Sequence, residues 1–330
     1  MLNVYFLDES RDAVSPPISR VELQAEQDFP SSVIWIDLLR ATEQDDQKVE
    51  TYLEIDIPTL ADADYVEPTE ALYADRGARY LSAQMLCPFA GAATMGRVTF
   101  IMNKDCIVTV RNDDCDAFSL FARRLCASET PYFQPETILA SLLNTIINQM
   151  AYEIELVDRT LETVSSSIFS IFEPTKNHDA IFKGVFRVLG EQSTRISNIR
   201  ASLVSLERVL LAISPDYEVA GAPAELRDDV RATLRDLQSL EEHASFQTQK
   251  VQFLLDTTLG LINLEQSHII KLFSVLAVIF MPPTLIASIY GMNFKHMPEL
   301  EWQMGYPLAL ALMVISSTLL YVFFRLKRWL

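Results

Sequence analysis

The sequence predicts an α+β membrane protein with an N-terminal α/β domain, a helical hairpin with a very long stalk helix, and two C-terminal transmembrane helices. Three observations support this prediction. Strand-like and helix-like segments alternate at first, a helical period then persists for more than a hundred residues, and two uncharged apolar runs follow. The corresponding domains are residues 1–131, 132–270 and 271–330.

Charge is distributed unevenly along the 330-residue chain. It has 27 Lys and Arg residues against 44 Asp and Glu residues, a formal net charge of −17. Residues 271–330 hold five basic and two acidic residues, so residues 1–270 carry a net charge of −20. This acidity argues against nucleic acid as a partner, because phosphates require a basic face. It suits a protein that handles cations, although an ordinary acidic domain has the same bulk composition.

The sequence lacks the common motifs of enzymes and metal centres. The four cysteines and four histidines have no CxxC or zinc-like spacing, which favours free thiols in a reducing compartment. No GxGxxG, P-loop, HExxH or GxSxG motif is present. The acid pairs Asp62/Asp64 and Asp113/Asp114 fit solvated turns better than divalent-ion sites. We therefore predict no enzymatic activity, no cofactor and, given the acidic N-terminus, no cleavable signal peptide.

Six strand-like segments and two helices predict the first domain. Thr42 and Asp45 have the spacing of a capping box that opens a helix reaching about Leu53, and a second helix is predicted over residues 116–127. The predicted strands are residues 4–7, 18–23, 33–38, 79–86, 97–102 and 106–110.

Apolar residues follow a helical period from Pro135 onwards. One stripe runs from Leu139 to Ile168 and a second from Phe182 to Ile213, with a turn signal between them. The proline-containing stretch 214–223 is predicted to end the second helix. A third helix over residues 224–290 would be roughly 100 Å long at 1.5 Å per residue. Such a helix needs partners, both from the hairpin and from other subunits.

Two uncharged 19-residue runs, 272–290 and 306–324, predict membrane spans. Each would cover roughly 28 Å as a helix, close to the ~30 Å thickness of the hydrocarbon core. Buried core helices are the weaker interpretation, since charge-free runs of this length with basic ends are rare in soluble cores. Lys271 precedes the first run and three basic residues follow the second. The positive-inside rule thus predicts a multi-pass protein of the cell (inner) membrane, surrounded by lipid, with both termini cytoplasmic and the loop 291–305 outside.

One face of the first run is unusual for a membrane anchor. It carries small, hydroxylated and flexible residues at alternating spacings of three and four, namely Ser274, Ala277, Met281, Thr284 and Ser288. Such a stripe fits either a close helix–helix contact or the lining of a pore in an oligomer. Pro282 and Pro283 remove two backbone donors mid-span, which loosens the helix unless neighbours satisfy the freed carbonyls.

The end of the first run carries a family motif. The segment Tyr290-Gly291-Met292-Asn293-Phe294, followed by Met297-Pro298-Glu299-Leu300, resembles the CorA family of magnesium channels. That family has Gly-Met-Asn at the outer end of the first of two C-terminal spans. The proline-containing pore helix and the terminal Lys-Arg-Trp-Leu also match the pattern of this family. The resemblance is strongest over residues 235–330. Zinc-transporting relatives tend to depart from Met-Pro-Glu-Leu, so the sequence resembles the magnesium branch.

The resemblance implies a homopentamer that moves hydrated Mg²⁺ into the cytoplasm, with Co²⁺ and then Ni²⁺ as further substrates. Gly291, Met292 and Asn293 would form the selectivity filter. A ring of neutral Asn293 amides can recognise the water shell of Mg²⁺ without holding the ion too tightly to release it. An asparagine that only caps the helix end is the alternative. Gly291 is predicted to supply a backbone turn that other residues cannot adopt.

The resemblance also assigns the remaining site positions. The pore and gate would be lined by Ile270, Phe273, Ser274, Ala277, Met281, Thr284 and Ser288, with Met281 as an apolar constriction. Asp256 and Asn263 would form an acid ring and an amide ring further in, or are ordinary hydrated stalk positions. Glu299 and Glu301 would attract cations to the outer mouth, or belong to a solvated loop.

The family resemblance further suggests that cytoplasmic Mg²⁺ bound between subunits closes the channel, at residues that the sequence does not locate. Two other functions stay open at this point. One is a transporter of zinc or another divalent cation on the same scaffold, and the other is a membrane-anchored regulatory protein that conducts nothing.

Overall fold

The structure, a computed structural model, describes residues 1–8, 18–24, 26–58, 72–127, 134–170, 178–218, 224–292, 297–298 and 302–327. Contacts divide the chain into two compact units, Met1–Phe253 and Leu254–Leu330. The first holds a sheet with its helices and the second holds the apolar end of the chain.

A seven-stranded sheet organises the first unit. Its strands are β1 (Leu2–Leu7), β2 (Ile18–Glu22), β3 (Val33–Leu39), β4 (Leu72–Asp75), β5 (Ala78–Phe89), β6 (Ala92–Met102) and β7 (Ile107–Arg111). They lie in the order β2-β1-β3-β7-β6-β5-β4. β3 and β7 run parallel, whereas the other neighbouring strands run antiparallel.

The six predicted strands are confirmed, within β1, β2, β3, β5, β6 and β7. The sequence did not predict β4, because all four of its residues are exposed and show no apolar alternation. β5 and β6 also extend further than predicted. They are joined by Ala90 and Gly91, whose φ angles of 49° and 86° suit a two-residue hairpin turn.

A buried ion pair links the two parallel strands at the centre of the sheet. Arg111 at the end of β7 donates from Nε and Nη2 to the two carboxylate oxygens of Asp37 in β3, at 2.9 and 2.8 Å. The two side chains are only 6% and 3% exposed. Thr109 also donates to Asp37 (2.8 Å), and the Arg111 guanidinium lies 4.4 Å from the Phe118 ring centroid. Both carboxylate oxygens of Asp37 therefore accept hydrogen bonds, as a buried charge requires.

Two short helices flank the sheet where the sequence predicts them. α1 (Glu43–Leu53) begins with the predicted capping box: Asp45 N–H donates to the Thr42 hydroxyl, and Thr42 N–H donates to the Asp45 carboxylate. α2 (Asp116–Cys126) buries one apolar face, and its Phe121 meets Trp35 of β3 edge-on at 5.2 Å.

The helical hairpin consists of α3 (Pro135–Ser170) and α4 (His178–Glu218). Both predicted apolar stripes are buried, and Arg195 of α4 donates to the buried Glu153 of α3. α4 ends at Glu218, inside the stretch 214–223 that is predicted to end it, although the helix continues past Pro215. Pro215 lies in the last turn, where a missing N–H removes a single intrahelical hydrogen bond.

The 67-residue helix α5 (Ala224–Tyr290) confirms the predicted stalk helix. It joins α3 through Asp158, which accepts from Lys250 Nζ at 2.8 Å and from Gln247 Nε2 at 2.9 Å. These hydrogen bonds hold the pKa of Asp158 below its usual value. The contact therefore stabilises the fold at neutral pH, and this contribution is lost as the pH falls through the lowered pKa.

In the described part of the chain, two helices are long and apolar enough to cross a membrane, namely α5 and α6 (Gly305–Leu326). Within their most apolar windows only 6% and 11% of the residues are buried inside the chain. A core helix of a soluble protein would instead be mostly buried, so low burial and composition together support the two predicted spans.

Candidate pore-lining site

The apolar part of α5 has one face that α6 covers. Val275 is 2% exposed, and Ile279, Pro282 and Ile286, which share its face at helical spacing, are half-buried. The Ser317 hydroxyl of α6 donates to the Ile279 carbonyl at 3.3 Å, which fixes α6 against this side.

The predicted pore positions lie on the opposite side of α5. At 3.6 residues per turn they fall on the far side of the helix from Val275 and Ile279. Each of them is exposed in the single chain: Asp256, Asn263, Ile270, Phe273, Ser274, Ala277, Met281, Thr284 and Ser288. Ile270, Phe273 and Met281 are 65%, 65% and 64% exposed. The chain therefore leaves this face of α5 uncovered by α6.

Hydroxyl groups on the uncovered face present oxygen lone pairs. Ser274 donates to the Ile270 carbonyl and Thr284 to the Phe280 carbonyl, both at 2.8 Å. Because each hydroxyl hydrogen is used within the helix, the oxygen is left as an acceptor. An acceptor can bind the water shell of a cation, so this arrangement fits passage of a hydrated positive ion.

Ser317 satisfies one of the two backbone carbonyls that Pro282 and Pro283 free. Pro283 has no N–H, so the Ile279 carbonyl four residues earlier loses its helical donor. The Ser317 hydroxyl supplies a donor in its place, which is how membrane helices tolerate internal prolines. The sequence predicted the freed carbonyl but not its partner, because nothing along the chain marks which hydroxyl of α6 faces α5.

We expect Ser317→Ala to weaken the packing of α6 on α5 by about 0.6–2 kcal/mol, since it leaves the Ile279 carbonyl without a donor in an apolar setting. The matched control is Ser316→Ala, whose hydroxyl donates to Met313 of its own helix. Thermal unfolding of the detergent-purified protein should show a lower midpoint for Ser317→Ala only. Equal midpoints for the two variants would contradict the assigned hydrogen bond.

The end of α5 corrects one prediction. Gly291 N–H donates to the Ala287 carbonyl at 3.0 Å, which continues the helical pattern. Among the described glycines, positive φ angles occur at Gly77 and Gly91, so the turn predicted for Gly291 is wrong. A Cβ at this position would lie 3.1 Å from the Ala287 oxygen, a tight contact with the preceding turn of the same helix. Met292 N–H donates to the Ile289 carbonyl at 3.2 Å.

Asn293, Glu299 and Glu301 lie outside the described residues, as do Asp62 and Asp64, so their roles stay predictions from the sequence.

Asp113 and Asp114 are engaged by protein partners. Asp113 accepts from Thr94, and Asp114 pairs with Arg40 at 3.1 Å. Within the described ranges no group of three or more His, Cys, Asp or Glu residues could hold a metal ion.

Comparison with known proteins places this architecture in a family. The profile of the CorA-like Mg²⁺ transporter protein family matches residues 30–328. The magnesium transport proteins CorA of Pectobacterium atrosepticum and Yersinia pseudotuberculosis are each 33% identical to this chain, over 331 and 334 residues that cover 100% of both sequences.

A solved structure agrees with these relatives. The complete CorA magnesium transporter from Methanocaldococcus jannaschii superposes with a TM-score of 0.79 at 17% identity, over 100% of this chain and 99% of that one. At this identity the likeness shows the fold, whereas the family profile and the full-length relatives show descent. The chain therefore belongs to the CorA-like Mg²⁺ transporter family.

Proposed function

We propose that this protein carries Mg²⁺ across the inner membrane into the cytoplasm, through a pore that α5 lines in a homo-oligomer. The uncovered face of α5 carries this proposal. It presents acceptor oxygens at Ser274 and Thr284, and it leads directly to the Gly291-Met292-Asn293 motif. The names of the full-length relatives support Mg²⁺ as the substrate.

A single chain cannot enclose such a path, because α6 covers only one side of α5. Further copies must surround the exposed face, and the family resemblance favours five. Basic residues precede the first span and follow the second, and by the positive-inside rule these ends face the cytoplasm. This orientation leaves the acidic Met1–Phe253 unit inside the cell.

Asn293 is the proposed selectivity ring at the outer end of the pore. Five neutral amide oxygens can accept hydrogen bonds from the waters around Mg²⁺, an ion that gives up its hydration reluctantly. Co²⁺ and Ni²⁺ carry similar hydration shells and are the proposed secondary substrates. Glu299 and Glu301 would raise the local cation concentration at the entrance.

Growth rescue tests the proposed function. A bacterial strain that lacks its own Mg²⁺ uptake and grows only in Mg²⁺-rich medium should grow in ordinary medium when it expresses this chain. The matched control is the same strain expressing the chain truncated after residue 253, which lacks both candidate spans. No rescue by an expressed, membrane-inserted full chain would contradict Mg²⁺ uptake.

Met281 is the proposed apolar constriction. A narrow apolar ring can block ions because water leaves it, and Met281 is the large apolar side chain between the hydroxyls of Ser274 and Thr284 on the uncovered face. We expect Met281→Ala to widen this ring and raise Mg²⁺ leak severalfold when cytoplasmic Mg²⁺ is high. Leu276→Ala is the control, since Leu276 is also exposed but points away from that face. If the leak is unchanged in Met281→Ala, the constriction lies elsewhere.

Feedback closure by cytoplasmic Mg²⁺ follows from the charge of the body. A net charge of −20 over residues 1–270, repeated around a ring, creates repulsion between subunits. Divalent ions bound between subunits would relieve this repulsion and favour a compact closed state. For this to happen, the ions must bind the closed state more tightly than the open state.

Limited proteolysis separates specific binding from screening. Millimolar Mg²⁺ should protect residues 135–270 of the full-length oligomer, whereas a monovalent salt at equal ionic strength should not. Equal protection by both salts would mean that screening alone acts, and the proposed divalent feedback would be abandoned.

A further inference from the structure

A cavity of about 640 Å³ lies in the first unit beside the sheet. Its walls come from β4, β5, β6, α4 and Thr248 of α5. Five lining residues of α4 follow one helical face at spacings of four, three, four and four, namely Ser193, Ser197, Arg200, Val204 and Arg208.

The cavity exists because α4 replaces a missing strand. β4 pairs with β5 only as far as Leu81, so the next residues of β5 have an outer edge without a strand in the described part of the chain. Hydroxyls of α4 satisfy this edge: Ser205 accepts from Gln84 N–H at 2.9 Å, and Ser202 accepts from Leu86 N–H at 2.7 Å. These hydrogen bonds fix α4 along the sheet and make the walls rigid.

Three arginines line the cavity from two sides. Arg200 and Arg208 come from α4, and Arg97 comes from β6, directly across from Gln84 of β5. None of the described residues that line the cavity is acidic. Residues 1–270 carry a net charge of −20, so a group of three arginines with no acidic residue among the lining is unusual for this part of the chain.

The three guanidiniums are exposed and lack the ion-pair partners that some arginines of this unit have. Arg111 pairs with Asp37, Arg195 with Glu153 and Arg40 with Asp114. No such ion pair or hydrogen bond engages Arg97, Arg200 or Arg208 within the described residues. Arg200 lies near enough to Glu241 to oppose the burial that raises the pKa of that carboxyl, without pairing with it.

The lining matches one ligand chemistry in particular. Guanidinium groups bind phosphate oxygens in a fork of two parallel hydrogen bonds, and the serine and threonine hydroxyls add further donors. Leu72 and Val204 are exposed apolar side chains in the same cavity and can pack against a flat ring. The volume lies within the ~300–1,000 Å³ typical of small-molecule sites.

We infer that the cavity between α4 and the β5 edge binds a phosphorylated anion of the nucleoside triphosphate class, with its phosphates on Arg97, Arg200 and Arg208. The site lies wholly within the Met1–Phe253 unit and does not depend on the proposed pore. It adds a ligand other than the transported cation to this protein.

Calorimetric titration of the full-length, detergent-purified protein tests this site. ATP, inorganic tripolyphosphate and inorganic phosphate are titrated separately in Mg²⁺-free buffer, which removes competition by the metal. We expect saturable binding of ATP at about one per chain, weaker binding of tripolyphosphate and none of single phosphate, since three cations and the apolar wall act together.

Variants assign the binding to the cavity. The double variant Arg200→Gln, Arg208→Gln should lower the affinity for ATP about tenfold or more. Arg97→Gln repeats the test without altering α4. Val204→Ser should lower the affinity for ATP but not the affinity for tripolyphosphate. The control is Arg187→Gln, an exposed arginine of α4 that pairs with Glu191 outside the cavity, and it should leave the affinity within about twofold.

Several results would overturn the inference. These are the absence of saturable ATP binding at millimolar concentration, equal affinity in all arginine variants including Arg187→Gln, and equal affinity for ATP and tripolyphosphate. A change of oligomer size in the Arg200→Gln, Arg208→Gln variant would also overturn it, because the arginines would then hold subunits together.

Discussion

Asn293→Ala should abolish Mg²⁺ uptake while expression, membrane insertion and oligomer size stay unchanged. The substitution deletes the proposed ring of amide oxygens that replaces hydrogen bonds of bulk water around the entering ion. The expected measurement is Mg²⁺ uptake by cells that express each variant at equal levels. Asn148→Ala is the matched control, since Asn148 is an exposed amide on α3 that bonds only to Asn144 in the described chain.

Asn293→Asp separates recognition from simple loss of a side chain. A ring of carboxylates should bind the cation harder and release it more slowly, so uptake falls although affinity rises. Wild-type flux in Asn293→Ala, or faster flux with unchanged ion preference in Asn293→Asp, would remove Asn293 from the filter.

Arg111→Met should destabilise the first unit by about 3–5 kcal/mol, because it leaves the carboxylate of Asp37 buried without its partner. Asp37 is 3% exposed and would keep only the Thr109 hydroxyl as a donor from a neighbouring strand. Chemical denaturation followed by the signal of Trp35, which donates from Nε1 to the same Thr109 at 3.1 Å, reports on this region directly.

Two further variants isolate the buried charge. Arg40→Met removes an exposed pair with Asp114 and should cost at most about 1 kcal/mol. Asp37→Leu combined with Arg111→Met replaces both partners by apolar side chains and should recover most of the loss. If Arg111→Met were no less stable than Arg40→Met, burial of the pair would not matter to the fold.

Much of the fold could be predicted because its signals are local. The capping box at Thr42, the apolar strands and the buried stripes of α3 and α4 each lie within one continuous segment. β4 was missed because its exposed residues carry no pattern, and it forms only through pairing with β5. The end of α4 at Glu218 lies within the predicted stretch 214–223, and the helix passes Pro215 because a proline in the last turn removes only one hydrogen bond.

In the candidate site too, local patterns could be predicted from the sequence and contacts between helices could not. The stripe from Ser274 to Ser288 is a local pattern on one helix and could be recognised in the sequence. The partner of the Ile279 carbonyl, Ser317, comes from another helix and could not. The conformation of Gly291 shows the limit of reasoning from residue type alone, since this glycine does not adopt the left-handed turn that its residue type predicts.

Reconstitution tests the proposed Mg²⁺ pathway most directly. Purified wild-type protein is placed in liposomes loaded with a fluorescent dye that responds to divalent cations, and external Mg²⁺, Co²⁺, Ni²⁺ or Zn²⁺ is added in turn. Mg²⁺ should enter rapidly, with the flux lost in Asn293→Ala and kept in Asn148→Ala. Entry of Zn²⁺ without Mg²⁺, or no entry of any cation through a correctly assembled oligomer, would contradict a magnesium pathway along α5.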